Sequence, residues 1–379
     1  MTDTPKLSPE TMPTAAPIPT FWLFGKTGSG KSSIVRYLTG VNDAEIGTGF
    51  RPQTKFSRRY DFPDDQFPIA QFLDTRGLGE AGYDPIADVT EFSDNTQLMI
   101  VTVRAMDQAL EELISPLTQL RKANPLRPVL LAITCLHDGY PGQQHPQPDP
   151  FHDLNEIALK TNIPENLRRS LATKLKQFEK LVDRIVAIDF TQSSDSFTDS
   201  EFGGERLKSA ILELLPASYR QTFIQLDKIN RSFSSAHQRR IAPVILAHSI
   251  AAATAAAVPI PWADIPLVLG IQSRLAYKIA KLNYQNLDKK TIAQVSAAMG
   301  GRIALQMGIR ESLKFIPWLG IAANVAATFA FTYAAGWAWN WYFMQVAAGH
   351  VPTTDELQQV YREQLQRGEQ FWKSSKASG

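Results

Sequence analysis

Eight consecutive residues, Gly25-Lys-Thr-Gly-Ser-Gly-Lys-Ser32, follow the pattern GxxxxGK[ST]. Glycines at both ends let the backbone curl so that successive N–H groups point at phosphate oxygens. The Lys31 ammonium would then reach β- and γ-phosphates, and the Ser32 hydroxyl would ligate Mg²⁺. A helix starting here adds its positive end, so Gly25, Lys26, Thr27, Gly28, Ser29, Gly30, Lys31, Ser32 and Ser33 are the expected phosphate-binding set. The competing reading is a glycine-rich turn before a helix. The apolar run Phe21-Trp-Leu-Phe24 ahead and the helix-like Ser33–Thr39 behind favour phosphate.

Further polar residues stand where the same chemistry needs them. Asp74-Thr-Arg-Gly77 follows an apolar run about forty residues downstream. Asp74 would hold Mg²⁺ through water, and the Gly77 N–H would sense the γ-phosphate. Ile46-Gly-Thr-Gly-Phe-Arg-Pro-Gln-Thr54 is a loop with two candidate threonines for the metal and the γ-phosphate; Thr54 is preferred and Thr48 is the fallback. Asp138, after the run Val129–Ile133, would accept two hydrogen bonds from guanine N1 and N2, which adenine does not offer. Arg51 would offset charge on the β–γ bridge, or else it is a solvated loop arginine beside Arg58 and Arg59. Arg76 would contact a partner or a second copy of such a domain, or else it makes an exposed salt bridge of the loop. His145, Asp149, His152 and Asp153 lack the regular spacing of metal ligands.

The elements that must position these groups are legible in the apolar pattern. Phe21–Phe24, Ile69–Leu73, Leu98–Val103, Val129–Ile133 and Ile185–Ile188 are short unbroken apolar runs, which suit strands buried on both faces. Asp107–Ala123 and Asn166–Asp183 between them are amphipathic. Lys55–Phe62 alternates and is expected as an edge strand. The fold class is therefore α/β, a mostly parallel sheet with helices on both faces, over residues 21–217. Residues 1–20 hold five prolines and no apolar run, a loose leader and not a signal peptide. Thirty-nine Lys and Arg against 37 acids give a net charge of +2, so no nucleic-acid partner is expected. One cysteine, Cys135, excludes a disulfide framework and a cysteine zinc cage.

Residues 21–217 resemble a small GTPase domain of the translation-factor-related class, Era-like in its order of motifs. The Gly-Lys-Thr-Gly-Ser-Gly-Lys-Ser-Ser wording is also similar to septin and immunity-related GTPases. The whole chain resembles bacterial GTPases fused to a hydrophobic C-terminal domain of unknown function, in which Asp-Thr-Arg-Gly-Leu-Gly, Leu-His-Asp and Asp-Phe-Thr (Asp189–Thr191) recur, with a Val-Pro-Ile-Pro-x-Ala-Asp segment. The resemblance implies a Ras-like P-loop domain that binds GTP or GDP with Mg²⁺ and hydrolyses GTP. Arg51, three residues before Thr54, has a spacing similar to the in-cis arginine of heterotrimeric G-protein α subunits. Two departures stand out. Cys135-Leu-His-Asp138 lacks the lysine of the usual base motif, which weakens guanine preference. Leu78 replaces a water-orienting glutamine, so turnover should be slow.

The C-terminal half changes character. Residues 218–349 form an alanine-rich hydrophobic helical domain, and 350–379 a polar helix and tail opened by the capping box Thr353-Thr-Asp-Glu356. Ile241–Val258 and Phe315–Gly349 carry no charge and exceed the length of about 20 residues that crosses a bilayer. Alanines recur every four residues (247, 251, 255; 322, 326, 330, 334, 338), and Trp337, Trp339, Trp341 and Tyr342 cluster like an interfacial belt. The basic stretch 274–314 opposes a hairpin of two spans on the positive-inside rule. Three arrangements are open: helices on a membrane surface, one or two spans, or a soluble bundle dimerising through an apolar face. The expected whole is a GTP-hydrolysing switch at the cytoplasmic face of a membrane, partnered by guanine nucleotide and by membrane lipid, a membrane protein or a second copy. The alternatives are a membrane-bound nucleotide-binding scaffold with little turnover and an ATP-using P-loop enzyme.

Overall fold

The computed structural model describes residues 18–41, 51–52, 57–75, 96–140, 142, 144–191, 197–232, 235–257, 264–285, 287, 291, 295 and 319–376. They divide into two compact units with the boundary after Ser232.

The first unit is an α/β domain. Its strands are β1 (Thr20–Phe24), β2 (Arg51–Pro52), β3 (Ser57–Phe62), β4 (Ala70–Thr75), β5 (Leu98–Arg104), β6 (Val129–Thr134) and β7 (Arg184–Ala187). They form one sheet in the order β2-β3-β4-β1-β5-β6-β7. Pairing is parallel from β4 through β7 and antiparallel among β2, β3 and β4. The five expected apolar runs are the five parallel strands. Every residue of β1 is buried, because both of its edges and both of its faces are covered. The alternating segment is β3, which is not outermost: Arg51 of β2 pairs with Arg59 beyond it.

Helices α1 (Lys31–Thr39), α2 (Glu111–Ala123), α3 (Glu165–Phe178), α4 (Gly204–Leu214) and α5 (Ala217–Ser232) complete the unit, with a small hairpin of β8 (Asp189–Phe190) and β9 (Glu201–Phe202). Side chains on a strand alternate between faces. Trp22, Phe24, Val101 and Leu131 therefore share one core with Leu113, Leu117 and Leu120 of α2 and Leu167, Leu171 and Phe178 of α3. Phe21 points the other way, against Phe72 and against Phe223 of α5. Burial of each such side chain contributes about 1.5–3 kcal/mol. Phe223 is 2% exposed, which is why α5 belongs to this unit and the division falls at 232 rather than 217. The chain leaves β1 toward β2, β3 and β4, then resumes on the other side of β1 with β5. That switch point puts the loop after β1 where open α/β sheets bind ligands.

The second unit is helical: α6 (Ala236–Ala256), α7 (Asp264–Leu282), α8 (Leu319–Ala347) and α9 (Thr354–Lys376). Helix α8 packs against the other three. A side chain at Gly336 would strike Ile245 of α6, and one at Gly368 would strike the Ala330 backbone, so small residues let these helices touch. The capping box forms: Glu356 N–H donates to Thr353 Oγ1, and Thr353 N–H donates to Glu356 Oε2.

Of the three open arrangements, the one with membrane spans finds no support here. Among the described residues, no helix is long and apolar enough to cross a membrane. The alanine ladder serves helix contact, with Ala330, Ala334 and Ala338 buried. Trp337 and Trp339 are 8% and 3% exposed, turned into the unit rather than out as a belt. Polar pairs also run through it: Asn283 Nδ2 donates to Asn340 Oδ1 at 3.1 Å, and Gln272 Nε2 donates to Thr332 Oγ1 at 3.1 Å.

Candidate functional site

The loop between β1 and α1 is built by its glycines. Gly28 and Gly30 have φ of 76° and 89°, left-handed values that cost a side-chain-bearing residue about 1–3 kcal/mol. Gly25 sits so close to β5 that a Cβ would lie 2.2 Å from Thr102 Oγ1 and 2.6 Å from the Thr102 carbonyl oxygen. Below the loop, buried Ser29 shares a hydrogen bond with Thr102 Oγ1 at 2.6 Å, and Thr134 Oγ1 donates to the Ser29 carbonyl at 2.9 Å. The loop is thus pinned from beneath by the ends of β5 and β6. Thr27, Gly28 and Ser32 are exposed above, and left-handed Gly30 caps the start of α1 without a side-chain cap.

Two ammonium groups border the loop. Lys31 Nζ donates to the Gly25 carbonyl at 2.6 Å and the Lys26 carbonyl at 3.1 Å, and it lies 3.6 Å from Asp74 Oδ1. Strand register explains the meeting, since Asp74 of β4 sits opposite Leu23 of β1. Lys26 Nζ donates to the Ala109 carbonyl and lies 3.5 Å from Asp107 and 3.4 Å from Glu112. The adjoining hollow holds about 60 Å³. A far larger groove, about 1360 Å³ along the β7 edge between α3 and α4, lies away from this loop.

Asp138 stands in a single 3-10 turn, Leu136–Gly139, directly after β6. Its Oδ2 accepts from Arg104 Nε at 3.1 Å and Arg104 Nη2 at 2.7 Å. The Asp138 hydrogen bond, with the Asp138 charge, holds the Arg104 guanidinium even more firmly protonated than usual. The turn rests on Asp189, which is fully buried. Asp189 accepts the His137 backbone N–H at 2.8 Å, contacts His137 Nδ1 at 2.7 Å and accepts the Tyr140 hydroxyl at 3.3 Å. Tyr140 in turn meets His145, which reaches the Asp199 carbonyl. Burial, then the Asp189 charge, push the Tyr140 phenol well up. Burial also raises the Cys135 thiol, which keeps it from acting as a thiolate.

The comparisons can now be set beside this geometry. No protein-family model matches the chain, and no curated protein does. Among solved structures, the chain is similar to translation elongation factor SelB from Methanococcus maripaludis, in complex with the GTP analogue GppNHp. Identity is 13% and the TM-score 0.30; the match covers 53% of this chain and 34% of SelB.

Of the residues singled out from sequence, Gly25–Ser33, Asp74 and Asp138 gather around the carboxyl ends of β1, β4, β5 and β6. Arg51 lies in β2, with only its backbone described; Thr48, Thr54, Arg76, Gly77 and Leu78 lie outside the described residues. Two of the histidines and acids of the proline-rich loop have other tasks: His145 joins the Asp189 network, and Asp149 pairs with Arg206. Sequence reasoning missed Arg104. The signal was present, since Arg104 is the one charge closing the apolar run of β5, at the sheet edge where ligands bind. It also missed that Asp189 carries the turn of Asp138.

Proposed function

We propose that this chain binds GTP and hydrolyses it slowly to GDP and phosphate. The observation that carries the reading is the meeting of Lys31 with Asp74 at the mouth of a loop whose Gly28 and Gly30 are left-handed. Those backbone N–H groups and the Lys31 ammonium suit a triphosphate, which would exchange with the carbonyls that Lys31 now contacts. The donor set suits Mg²⁺ as well: the exposed Ser32 hydroxyl on the first turn of α1 and the Asp74 carboxylate would hold it. Bound there, the ion would offset charge between the β- and γ-phosphates.

Asp138 would accept guanine N1–H and N2–H. A water oxygen attacks the γ-phosphorus, the bond to the β–γ bridging oxygen breaks, and GDP leaves with that electron pair. Thr54, Gly77 and Arg51 keep the roles proposed from sequence. Leu78 offers no side-chain carboxamide to align the water, which supports slow turnover.

A second reading, an enzyme indifferent to the base or a binder with little turnover, draws on Arg104 holding Asp138 and on Leu136 in place of the usual lysine. Phosphate release at saturating Mg-GTP and Mg-ATP separates them. Faster release from GTP supports the proposal; equal rates point to an unselective enzyme, and none from either to a scaffold. The wider reading, a switch governing the helical unit at a membrane surface or on a second copy, rests on the fusion alone. Repeating the assay with lipid vesicles, alongside vesicle sedimentation, tests it.

A further inference from the structure

We propose that Arg104 is a built-in competitor of the guanine base and sets how strongly this chain selects it. The argument rests on the reading of Asp138 as the base acceptor. Guanine offers that carboxylate an N–H pair on either side of one carbon, N1–H and N2–H. Arginine offers the same fragment, Nε–H and Nη2–H on either side of Cζ. Both of those groups point at Asp138 Oδ2, at 3.1 and 2.7 Å. The other oxygen, Oδ1, lies 3.7 Å from His137 Nε2. A base entering with its donors toward Asp138 therefore meets a side chain of matching donor geometry already in place.

The rest of the fold holds Arg104 at that post. It ends β5, hydrogen-bonded in register beside Thr134 of β6, and Asp138 follows four residues after Thr134. Its Nη1 reaches to about 4.0 Å from where a Cβ at Gly28 would stand. The side chain thus spans from the phosphate loop to the base acceptor. The turn that carries Asp138 is anchored, because His137 is fastened to buried Asp189 through both its backbone and its ring.

The pair is open to solvent, with side chains 46% and 25% exposed, so water screens it. Its release should be worth about a threefold to tenfold change in affinity, or about 0.7–1.4 kcal/mol. Adenine has no N1–H and no N2 amine, so it makes no use of the freed acceptor. Removing Arg104 should therefore tighten guanine nucleotides selectively.

The test is calorimetric affinity of the full-length protein for GDP, ADP and inorganic tripolyphosphate, in wild type, Arg104→Ala, Arg104→Lys, Asp138→Ala and the double variant Arg104→Ala/Asp138→Ala. The expected result is GDP binding threefold to tenfold tighter in Arg104→Ala, with ADP and tripolyphosphate not tightened. Arg104→Lys, which has no paired donors, should fall between, and Arg104→Ala should have no effect once Asp138 is gone. Unchanged or weaker GDP binding in Arg104→Ala, with tripolyphosphate still bound, overturns the proposal while leaving the phosphate site standing. If no form binds GDP or tripolyphosphate, the nucleotide reading itself fails and this inference with it.

Discussion

The Lys31 ammonium lies 3.6 Å from the Asp74 carboxylate, although 43 residues separate them in the chain. The pairing of β1 with β4 brings them together, Leu23 opposite Asp74. The lysine begins the helix after β1 and the acid nears the end of β4, so both stand at the same edge of the sheet.

The tight approach of Gly25 to β5 gives a stability prediction. A Cβ there would lie 2.6 Å from a backbone oxygen, Thr102 O, which cannot swing aside. Gly25→Ala should lower stability by about 1–3 kcal/mol, the range for overpacking. The check is the denaturant midpoint for hydrogen exchange of the β1 and β5 amides in the full chain, which report the first unit. An unchanged midpoint would mean the loop does not sit against β5.

Asp189 should matter to both stability and selectivity. Asp189→Ala takes an acceptor from the His137 N–H, a partner from the His137 ring and a hydroxyl contact from Tyr140. The expected cost is about 3 kcal/mol, with the GDP-over-ADP preference reduced because the Asp138 turn loosens. Asp189→Asn keeps an acceptor and should lose less. A variant as stable and as selective as wild type would remove Asp189 from this role.

Alkaline pH should weaken the first unit. Burial, then Glu205, raise the Tyr37 phenol, and burial, then Asp189, raise that of Tyr140. In the unfolded chain each ionises near its ordinary value of about 10. Above that value the unfolded state binds fewer protons than the folded one. The stability these phenols contribute is thus complete below about pH 10 and declines beyond it, by at most about 1.4 kcal/mol per pH unit for each. Lys174, lowered by burial, works in the opposite sense just below its ordinary value. The difference between wild type and Tyr140→Phe isolates one phenol: melting temperatures from pH 9 to 11 should fall less steeply in the variant. Parallel slopes would contradict the assignment.

Much of the first unit was legible from local pattern. Unbroken apolar runs became the parallel strands because a strand covered on both faces has no polar side. The spacing of Gly25, Gly28 and Gly30 announced the loop because left-handed turns and close approach need glycine. The two-residue β2 was not legible, as no period fits in two residues. Arg104 with Asp138 and His137 with Asp189 were not legible either, because strand order, not sequence distance, brings them together. Composition misled most in α8. Trp337, Trp339 and the alanine ladder signal a membrane helix in isolation, and only the packing of α6, α7 and α9 around them shows what they cover.

The central claim is that the loop Gly25–Ser32, with the ammonium of Lys31, grips a triphosphate. Equilibrium binding of a fluorescent GTP analogue with Mg²⁺, in wild type and in Lys31→Ala protein of matched melting temperature, tests it most directly. Removing a charged donor to phosphate should weaken binding by about 100-fold, roughly 2.7 kcal/mol. Affinity of the variant within about twofold of wild type would contradict the account.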